Sequence, residues 1–338
     1  MKRNILKILG VLTLALIAIA LPLLSSYEIR EWAADTLFPS QIYNAQPVPH
    51  FTPFNPAAAA LRFIAVGDVG TGGRGQRQVA GAMAQVAGAD SISFVVLLGD
   101  NFYERGVRSI TDPQWLVKFE SMYHHPSLQI PFLAILGNHD YDGNPQAQVE
   151  YTATSRRWVM PSRFYSRSFT VDDSTDVALF LLDTNPMSQL SQSDIMKGKD
   201  SAAYRAQLDW LETELGRSEA RWKIVAGHHT IYSNGDHGNN PGLGSLLEPL
   251  FVRYGVDAYL AGHEHDLQLL GPVQGVHYIV SGGGGKDRSV EWKGNTLFAA
   301  TRLGFVRMTI THTSASVEFF NRDGVLTFVY EIPKLTRQ

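Results

Sequence analysis

The sequence predicts an α/β fold built on one large mixed sheet or on a pair of sheets. From residue 61 onward, short apolar runs alternate with segments of helical periodicity, a pattern typical of parallel strands joined by crossover helices. From residue 276 onward, short β-rich runs follow one another without helices, which indicates antiparallel strands. At 338 residues, the chain is long enough to bury a core of this kind.

The alternating part predicts six strands and five helices. The strands are apolar runs too short for helices, each followed by a turn residue, at Leu61–Val66, Ser93–Leu98, Pro131–Leu136, Val177–Leu182, Lys223–Ala226 and Val256–Ala261. The helices carry apolar residues at helical spacing, at Gln76–Ala87, Pro113–Tyr123 (after Asp112 as N-cap), Gln146–Trp158, Ala202–Leu215 and Leu246–Tyr254.

The β-rich end of the chain predicts four further strands, at Val276–Val280, Phe305–His312, Val317–Phe320 and Leu326–Ile332. Asp323-Gly324 between the last two is a strong signal for a hairpin turn.

The N-terminus has the features of an export signal. Met1-Lys2-Arg3 and Lys7 precede an apolar run from Ile8 to Leu24. A basic flank followed by such a run predicts a signal peptide or an uncleaved anchor over residues 1–24. The positive-inside rule then places the rest of the chain outside the cytoplasm, either periplasmic or extracellular, and anchored to the membrane if the segment is not cleaved.

Composition narrows the remaining possibilities. Residues 25–60 contain five prolines and no sustained periodicity, so we expect a linker there and one folded domain over residues 61–338. A net charge of −3 gives no electrostatic case for a nucleic-acid partner. The absence of cysteine excludes disulfides, thiolate metal sites and cysteine nucleophiles.

Five predicted strand ends carry side chains that can bind metals. The turns after them contain glycine, and they present Asp68, Asp100 with Tyr103, Asn138 with His139, His228, and His263 with His265. A single aspartate or asparagine after a strand is usually a turn or cap residue. Five such strand ends together favour one site, and this mixture of oxygen and nitrogen ligands suits Fe, Zn or Mn.

The motifs around these residues resemble those of the calcineurin-like metallophosphoesterases, and specifically the purple acid phosphatases of the small tartrate-resistant type. The resemblance is carried by Gly67-Asp68-Val69-Gly70, Gly99-Asp100-Asn101-Phe102-Tyr103, Gly137-Asn138-His139-Asp140, Gly227-His228-His229 and Gly262-His263-Glu264-His265. It implies two mixed β-sheets packed as a sandwich flanked by helices, with a dinuclear metal site at the strand ends.

The resemblance also implies a division of the ligands between two metals. The first metal would bind Asp68, Tyr103, His265 and a shared Asp100. The second would bind Asn138, His228, His263 and the same Asp100. A bridging carboxylate holds two cations at the roughly 3.5–4 Å spacing used for in-line phosphoryl displacement.

Tyr103 favours a particular first metal. Many relatives have a histidine two residues after the first aspartate, but here that position is Gly70, and Tyr103 would take up the missing coordination. Because a phenol ordinarily ionises near pH 10, binding it as phenolate in acid favours a hard, strongly acidic ion such as Fe(III). The expected cofactor is therefore Fe(III) with a second divalent ion, Fe, Zn or Mn.

Two histidines are expected to act on the substrate. His139 would contact the phosphate or the leaving group, and His237 matches a histidine that the small purple enzymes place near the leaving group. As imidazolium, His237 would protonate the departing alkoxide, and an exposed loop histidine is the weaker alternative. His229 is expected to be a structural neighbour, because adjacent side chains after a strand point apart.

The leading hypothesis is an exported, dinuclear acid phosphatase that hydrolyses phosphate monoesters of small molecules or phosphoproteins by attack of a metal-bound hydroxide on phosphorus. A phosphodiesterase or nucleotide-anhydride hydrolase would use the same site, and a redox side activity of an iron pair would also fit. The alternative that is not an enzyme is a membrane-tethered binding protein with a vestigial metal site.

The sequence also predicts two loops near the site. Ser281–Lys286, with four consecutive glycines, is expected to be a flexible loop at the rim of the site rather than a phosphate-binding loop. Residues 185–201 are polar with little periodicity, and they lie where the small purple phosphatases carry a loop that can cover the site.

Overall fold

In a computed structural model of the chain, which describes residues 59–190 and 202–334, the strands form two seven-stranded mixed sheets. The first sheet has the order β14-β13-β12-β1-β2-β3-β4, from Leu326–Pro333, Ser314–Asn321, Gly304–Ile310, Leu61–Val66, Phe94–Leu97, Phe132–Ala134 and Trp158–Val159. The second has the order β11-β9-β10-β8-β7-β6-β5, from Thr296–Ala300, Leu267–Val273, Val276–Ser281, Ala258–Ala261, Trp222–Ala226, Thr175–Leu181 and Tyr165–Asp172.

The helices connect and cover these strands. In the described part of the chain they are α1 (Arg74–Ala89), α2 (Asn138–Tyr141), α3 (Pro145–Glu150), α4 (Asn185–Ser188), α5 (Ala202–Arg217) and α6 (Pro241–Tyr254). Short irregular helices occupy Leu116–Glu120, Pro126–Leu128 and Tyr151–Ala153. None of the described helices combines the length and the apolar character needed to cross a bilayer.

Each sheet has a parallel core with antiparallel strands added to it. In the first sheet, β1 to β4 are parallel and β12 to β14 continue it antiparallel. In the second, β6, β7, β8 and β10 are parallel, with antiparallel strands at both edges. Parallel strands align their carboxyl ends at one edge, which is where the candidate site lies.

The apolar runs of the second sheet fill two separate cores. Along β6, Leu179 and Leu181 pack into the cluster shared with the first sheet, whereas Ala178 and Phe180 pack into the cluster that includes the helices α5 and α6. Because successive side chains of a strand point to opposite faces, a strand covered on both faces must be apolar throughout. This explains the continuous hydrophobic runs, and the expectation of two packed mixed sheets flanked by helices is confirmed.

The helix expected over Gln146–Trp158 is wrong in its second half. The α-helix ends at Glu150, and Trp158 begins strand β4, which pairs in parallel with Phe132 and Leu133. The Trp158 indole also donates to the carbonyl of Gln148. Tertiary strand pairing therefore overrides the local helical periodicity here.

The expected helix after Asp112 forms, but with a different geometry. Asp112 accepts a hydrogen bond from the backbone N–H of Gln114, as an N-cap does. The segment Leu116–Glu120 then continues as a π-helix rather than an α-helix. The sequence analysis also missed strands β5, β9 and β11, which lie at or next to the edges of the second sheet.

The expectations for residues 1–24 and most of the 25–60 linker lie outside the described residues, as does the 191–201 part of the polar loop. The Asp323-Gly324 turn is confirmed, since β13 and β14 form an antiparallel hairpin across it and Gly324 has φ 75°.

Candidate metal centre

The predicted ligands meet where the carboxyl ends of the two sheets approach each other. The backbone N–H of His263, after β8, donates to Asp68 Oδ2, after β1, at 2.8 Å. The backbone N–H of Asp68 donates to the carbonyl of Gly99, which precedes Asp100, at 3.0 Å. Strand ends from both sheets are thus joined directly by hydrogen bonds.

Three of the candidate ligands occupy a strained backbone conformation. Asp68, Asp100 and His263 have φ of 59°, 51° and 69°, in the left-handed region that non-glycine residues rarely adopt. Such conformations cost on the order of 1–3 kcal/mol each and cluster at functional sites. In the described chain, Gln274 is the other non-glycine residue with positive φ, so this strain is concentrated at the site.

One group of donors surrounds the Tyr103 phenol. Its oxygen lies 2.9 Å from Asp68 Oδ1, 2.8 Å from Asp100 Oδ2 and 3.1 Å from His265 Nε2. Donors that each lie roughly 2.0–2.2 Å from one metal are spaced at about 3 Å from one another. These four side chains therefore fit a single cation.

A second group of donors surrounds the Asn138 amide oxygen. That oxygen lies 3.1 Å from His228 Nε2 and 3.1 Å from His263 Nδ1. The two imidazole nitrogens are 3.3 Å apart. The spacing again fits one cation, here with two nitrogen donors and one oxygen.

Asp100 lies between the two groups. Its Oδ2 accepts from Tyr103 in the first group, and its Oδ1 lies 3.5 Å from His228 Nε2 in the second. The backbone N–H of His139 also donates to Oδ1 at 2.9 Å, which fixes the orientation of the carboxylate. One buried carboxylate thus offers an oxygen to each group.

The acidic side chains of the first group have raised pKa values. Burial, and then the charge of Asp100, raise the pKa of Asp68 well above its usual value. Burial, and then the two carboxylates, raise the pKa of the Tyr103 phenol well above its usual value. Acidic groups crowded in this way hold protons that a cation would displace.

The imidazoles of the site are neutral and can bind metal. Burial is the main cause that lowers the pKa of His228, His263 and His265, the last to about 3. His228 is also oriented, because its Nδ1 lies 2.8 Å from the carbonyl of Leu98 and so donates to it. That bond leaves Nε2 as the lone-pair donor that faces Asn138. The donor set therefore fits two metal ions.

Gly70 cannot be replaced by a histidine here. A Cβ at Gly70 would lie 2.2 Å from the carbonyl oxygen of Asn101. The backbone N–H of Tyr103 donates to the carbonyl of Gly70 at 2.8 Å, so the glycine helps to position the tyrosine. The same close packing excludes a histidine from this position and holds Tyr103 in the site.

His139 is half-buried and close to the first group. Its ring centre lies 4.6 Å from that of Tyr103, and its Nδ1 donates to the carbonyl of Glu104 at 2.7 Å. The neighbouring Asp140 is fully buried and accepts hydrogen bonds from the backbone N–H groups of Asn101 and Gly137. Asp140 therefore fastens the two ligand-bearing loops after β2 and β3 to each other.

His237 lies beside the second group, and its side chain is 43% exposed. Its ring stacks on that of His263 with centroids 4.2 Å apart. Glu264 accepts from the backbone N–H of His237 at 2.9 Å and lies 3.1 Å from its Nδ1. Burial would raise the pKa of Glu264, but hydrogen bonds from His237 and Ser233 hold it below its usual value.

The sequence analysis assigned no role to Glu264, although a signal was available. Glu264 lies between His263 and His265 after β8, so its side chain is expected to point away from theirs. The structure agrees, because Glu264 accepts hydrogen bonds from the backbone N–H groups of His237 and Gly238.

The expectation that His229 points away from His228 is wrong. The rings of His228, His229 and His263 each present a nitrogen within 4.8 Å of the others. Thr184 accepts from the backbone N–H of His229 and lies 2.9 Å from its Nδ1. Burial lowers the pKa of His229 well below its usual value, so a neutral imidazole adjoins the second group.

The glycine-rich segment is packed rather than loose. A Cβ at Gly282 would lie 1.9 Å from the carbonyl oxygen of Glu264, and one at Gly284 would lie 2.3 Å from that of Gly67. The glycines are therefore required by close approach to the ligand loops. The sequence analysis had interpreted them as a source of flexibility.

Comparison with known proteins identifies the family. Residues 61–267 match the family described as calcineurin-like phosphoesterase. The chain is 35% identical over 307 residues to human (Homo sapiens) tartrate-resistant acid phosphatase type 5, covering 83% of this chain and 93% of that protein. It is 36% identical over 286 residues to purple acid phosphatase 4 of Arabidopsis thaliana, covering 78% of this chain and 81% of that protein.

Two solved structures share the fold. GAP50, titled the anchor in the inner membrane complex of Plasmodium, superposes with a TM-score of 0.72 at 24% identity over 83% of this chain and 90% of its own. Purple acid phosphatase PPD1 from yellow lupin (Lupinus luteus) superposes with a TM-score of 0.62 at 18% identity over 83% and 55%. The chain belongs to the calcineurin-like phosphoesterase family and, within it, to the purple acid phosphatases of the tartrate-resistant type.

Proposed function

We propose that the protein is a dinuclear-metal acid phosphatase that hydrolyses phosphate monoesters of small molecules or phosphoproteins. The observation that carries the proposal is the position of Asp100, whose two oxygens lie 2.8 Å from Tyr103 Oη and 3.5 Å from His228 Nε2. A carboxylate placed between two donor groups suits a pair of metals that hold and neutralise a phosphoryl group.

The proposed ligands are those that the sequence singled out. Asp68, Tyr103 and His265 would hold the first ion, Asn138, His228 and His263 the second, and Asp100 both. Fe(III) is proposed for the first ion, because the phenol of Tyr103 is buried against two carboxylates and only a strongly acidic cation ionises it in acid. A divalent Fe, Zn or Mn ion is proposed for the second.

The metal pair would supply an activated water nucleophile and charge neutralisation at acid pH. The remaining steps fall to side chains. His237 would donate a proton to the leaving oxygen, with Glu264 holding the imidazole in place and stabilising its cationic form. His139 would contact the phosphate, since its Nδ1 is engaged by Glu104 and its Nε2 remains as the second ring nitrogen.

A binding protein with a vestigial site is the weaker alternative. GAP50 is titled an anchor, but its likeness to this chain supports the fold alone. Loss of ligands would mark such a protein, and all seven proposed ligands are present here, each within 3.1 Å of another. Export through residues 1–24 remains part of the proposal.

The function is tested by reconstituting metal-free protein with iron and zinc and measuring hydrolysis at pH 5. We expect 4-nitrophenyl phosphate to be hydrolysed at least about 100-fold faster than bis(4-nitrophenyl) phosphate, and activity to vanish on chelation. A diester preference would contradict the monoesterase proposal, and metal-independent activity would contradict the site.

A second prediction concerns Tyr103 and the first metal. The iron-loaded, oxidised protein should show a phenolate-to-Fe(III) absorption band in the visible region, and Tyr103→Phe should abolish it. Tyr165→Phe is the matched control, because Tyr165 is buried but bonds only backbone carbonyls in the described structure. An unchanged spectrum in Tyr103→Phe would exclude the phenolate as a ligand.

A third prediction concerns His237. Because good leaving groups need no proton, His237→Ala should lower kcat about 100-fold for an alkyl phosphate and only a few-fold for 4-nitrophenyl phosphate. His124→Ala, an exposed histidine elsewhere, is the control and should change neither. Equal losses on both substrates would refute the acid role.

A further inference from the structure

The glycine-rich segment after β10 is anchored to the metal centre at both ends. The backbone N–H of Gly284 donates to the carbonyl of Gly67, next to Asp68, at 3.2 Å. The backbone N–H of Arg288 donates to the carbonyl of His265 at 2.7 Å. The backbone of residues 284–288 is therefore held beside the proposed ligands.

Lys286 brings a positive charge to the first donor group. Its Nζ lies 4.3 Å from the centre of the Tyr103 ring, and its side chain is only 14% exposed. It forms an ion pair with Glu104 at 3.3 Å, but the Glu104 side chain is 74% exposed. Because the Glu104 carboxylate is largely solvated, a stronger anion can displace it from Lys286.

Arg288, two residues further along the same segment, brings a second positive charge beside His237. Its Nη1 lies 3.3 Å from His237 Nδ1, and its Nε lies 3.6 Å from the exposed carboxylate of Asp236. Arg288 is therefore adjacent to the histidine that we propose as the proton donor to the leaving group. A substrate atom bound by Arg288 would therefore belong to the leaving group and not to the transferred phosphoryl group.

We propose that Lys286 and Arg288 form a subsite for a second phosphate, carried by the leaving group of the substrate. The proposal rests on the proposed phosphatase function. The proposed metal pair would neutralise the phosphoryl group under attack, which would leave these two cations for a second phosphate. A phosphate dianion binds arginine through charge-assisted, often bidentate hydrogen bonds and would outcompete Glu104 and Asp236 for the two cations.

The preferred substrates are thus organic bisphosphates with a short spacer between the two phosphates. Monophosphates with a neutral leaving group would be hydrolysed without help from this subsite. The preference would weaken with added salt, because salt screens the attraction between the two cations and the phosphate that approaches them from solution.

The test compares propyl phosphate with propane-1,3-diol bisphosphate on the metal-loaded enzyme. The two substrates present the same ester bond and differ by one phosphate. We expect a ratio of kcat/KM of about tenfold in favour of the bisphosphate at low salt, carried mainly by KM. Lys286→Gln with Arg288→Gln should reduce the ratio to about two, the statistical value for two equivalent esters.

Lys293→Gln is the matched control, because Lys293 lies on the same segment, pairs with the exposed Glu291 and contacts neither Tyr103 nor His237 in the described structure. A binding measurement complements the kinetics: propane-1,3-bisphosphonate should inhibit the wild-type enzyme about tenfold more tightly than propylphosphonate, and the double variant should lose that difference.

The outcomes separate the two proposals. If neither phosphate ester is hydrolysed, the proposed phosphatase function fails. If both are hydrolysed but the wild-type ratio is about two or below, or if the double variant keeps the wild-type ratio, the second-phosphate subsite is refuted and the phosphatase function stands.

Discussion

The structure depends on one buried carboxylate, that of Asp100. It is placed at the carboxyl end of β2, held in a left-handed conformation and oriented by a backbone N–H from the loop after β3. Its two oxygens face different donor groups, one around Tyr103 and one around Asn138. Shifting this carboxylate would separate the two groups, because its two oxygens face donor atoms of both.

Burying several acidic groups around Asp100 destabilises the metal-free protein, and a bound cation would offset that cost. Two buried carboxylates and a buried phenol lie within hydrogen-bond distance of one another, and the pKa values of Asp68 and Tyr103 are raised in response. The neighbouring imidazoles are neutral because they too are buried. A site with strained backbone, crowded acids and neutral imidazoles is arranged for metal binding rather than for the stability of the metal-free fold.

Much of this arrangement follows from short-range sequence patterns. Nearly continuous apolar runs predicted the bounds of β1, β7 and β8 to within two residues at either end. The runs have no polar alternation because these strands are buried on both faces. The positions of Asp68 and His263 follow from β1 and β8, since each lies two residues after its strand, and Asp100 lies three residues after β2. The choice of a β-strand at Trp158–Val159 was not predictable, because it depends on pairing with the distant Phe132 and Leu133.

The site was less predictable where contacts are tertiary. The residues around Glu264 in the sequence do not indicate that His237 is its hydrogen-bond partner. The reason for the four glycines at 282–285 is found only in the folded structure, where a Cβ atom would clash with neighbouring atoms. The sequence predicted a flexible loop at the rim of the site over Ser281–Lys286, whereas its backbone is packed against the loops that carry the proposed ligands. The proposed metal ligands thus follow from the strand ends, whereas the groups proposed to act on the leaving group are placed by tertiary packing.

The most direct test is the metal content and metal positions of the protein and of Asp100→Asn, measured by elemental analysis and anomalous X-ray diffraction. We expect two ions per chain, about 3.5–4 Å apart, in the wild-type protein and at most one in Asp100→Asn. Asp266→Asn, which replaces a buried aspartate that bonds Gln268 outside the donor groups, should retain two. A single ion in the wild-type protein, or two undisturbed ions in Asp100→Asn, would contradict the account.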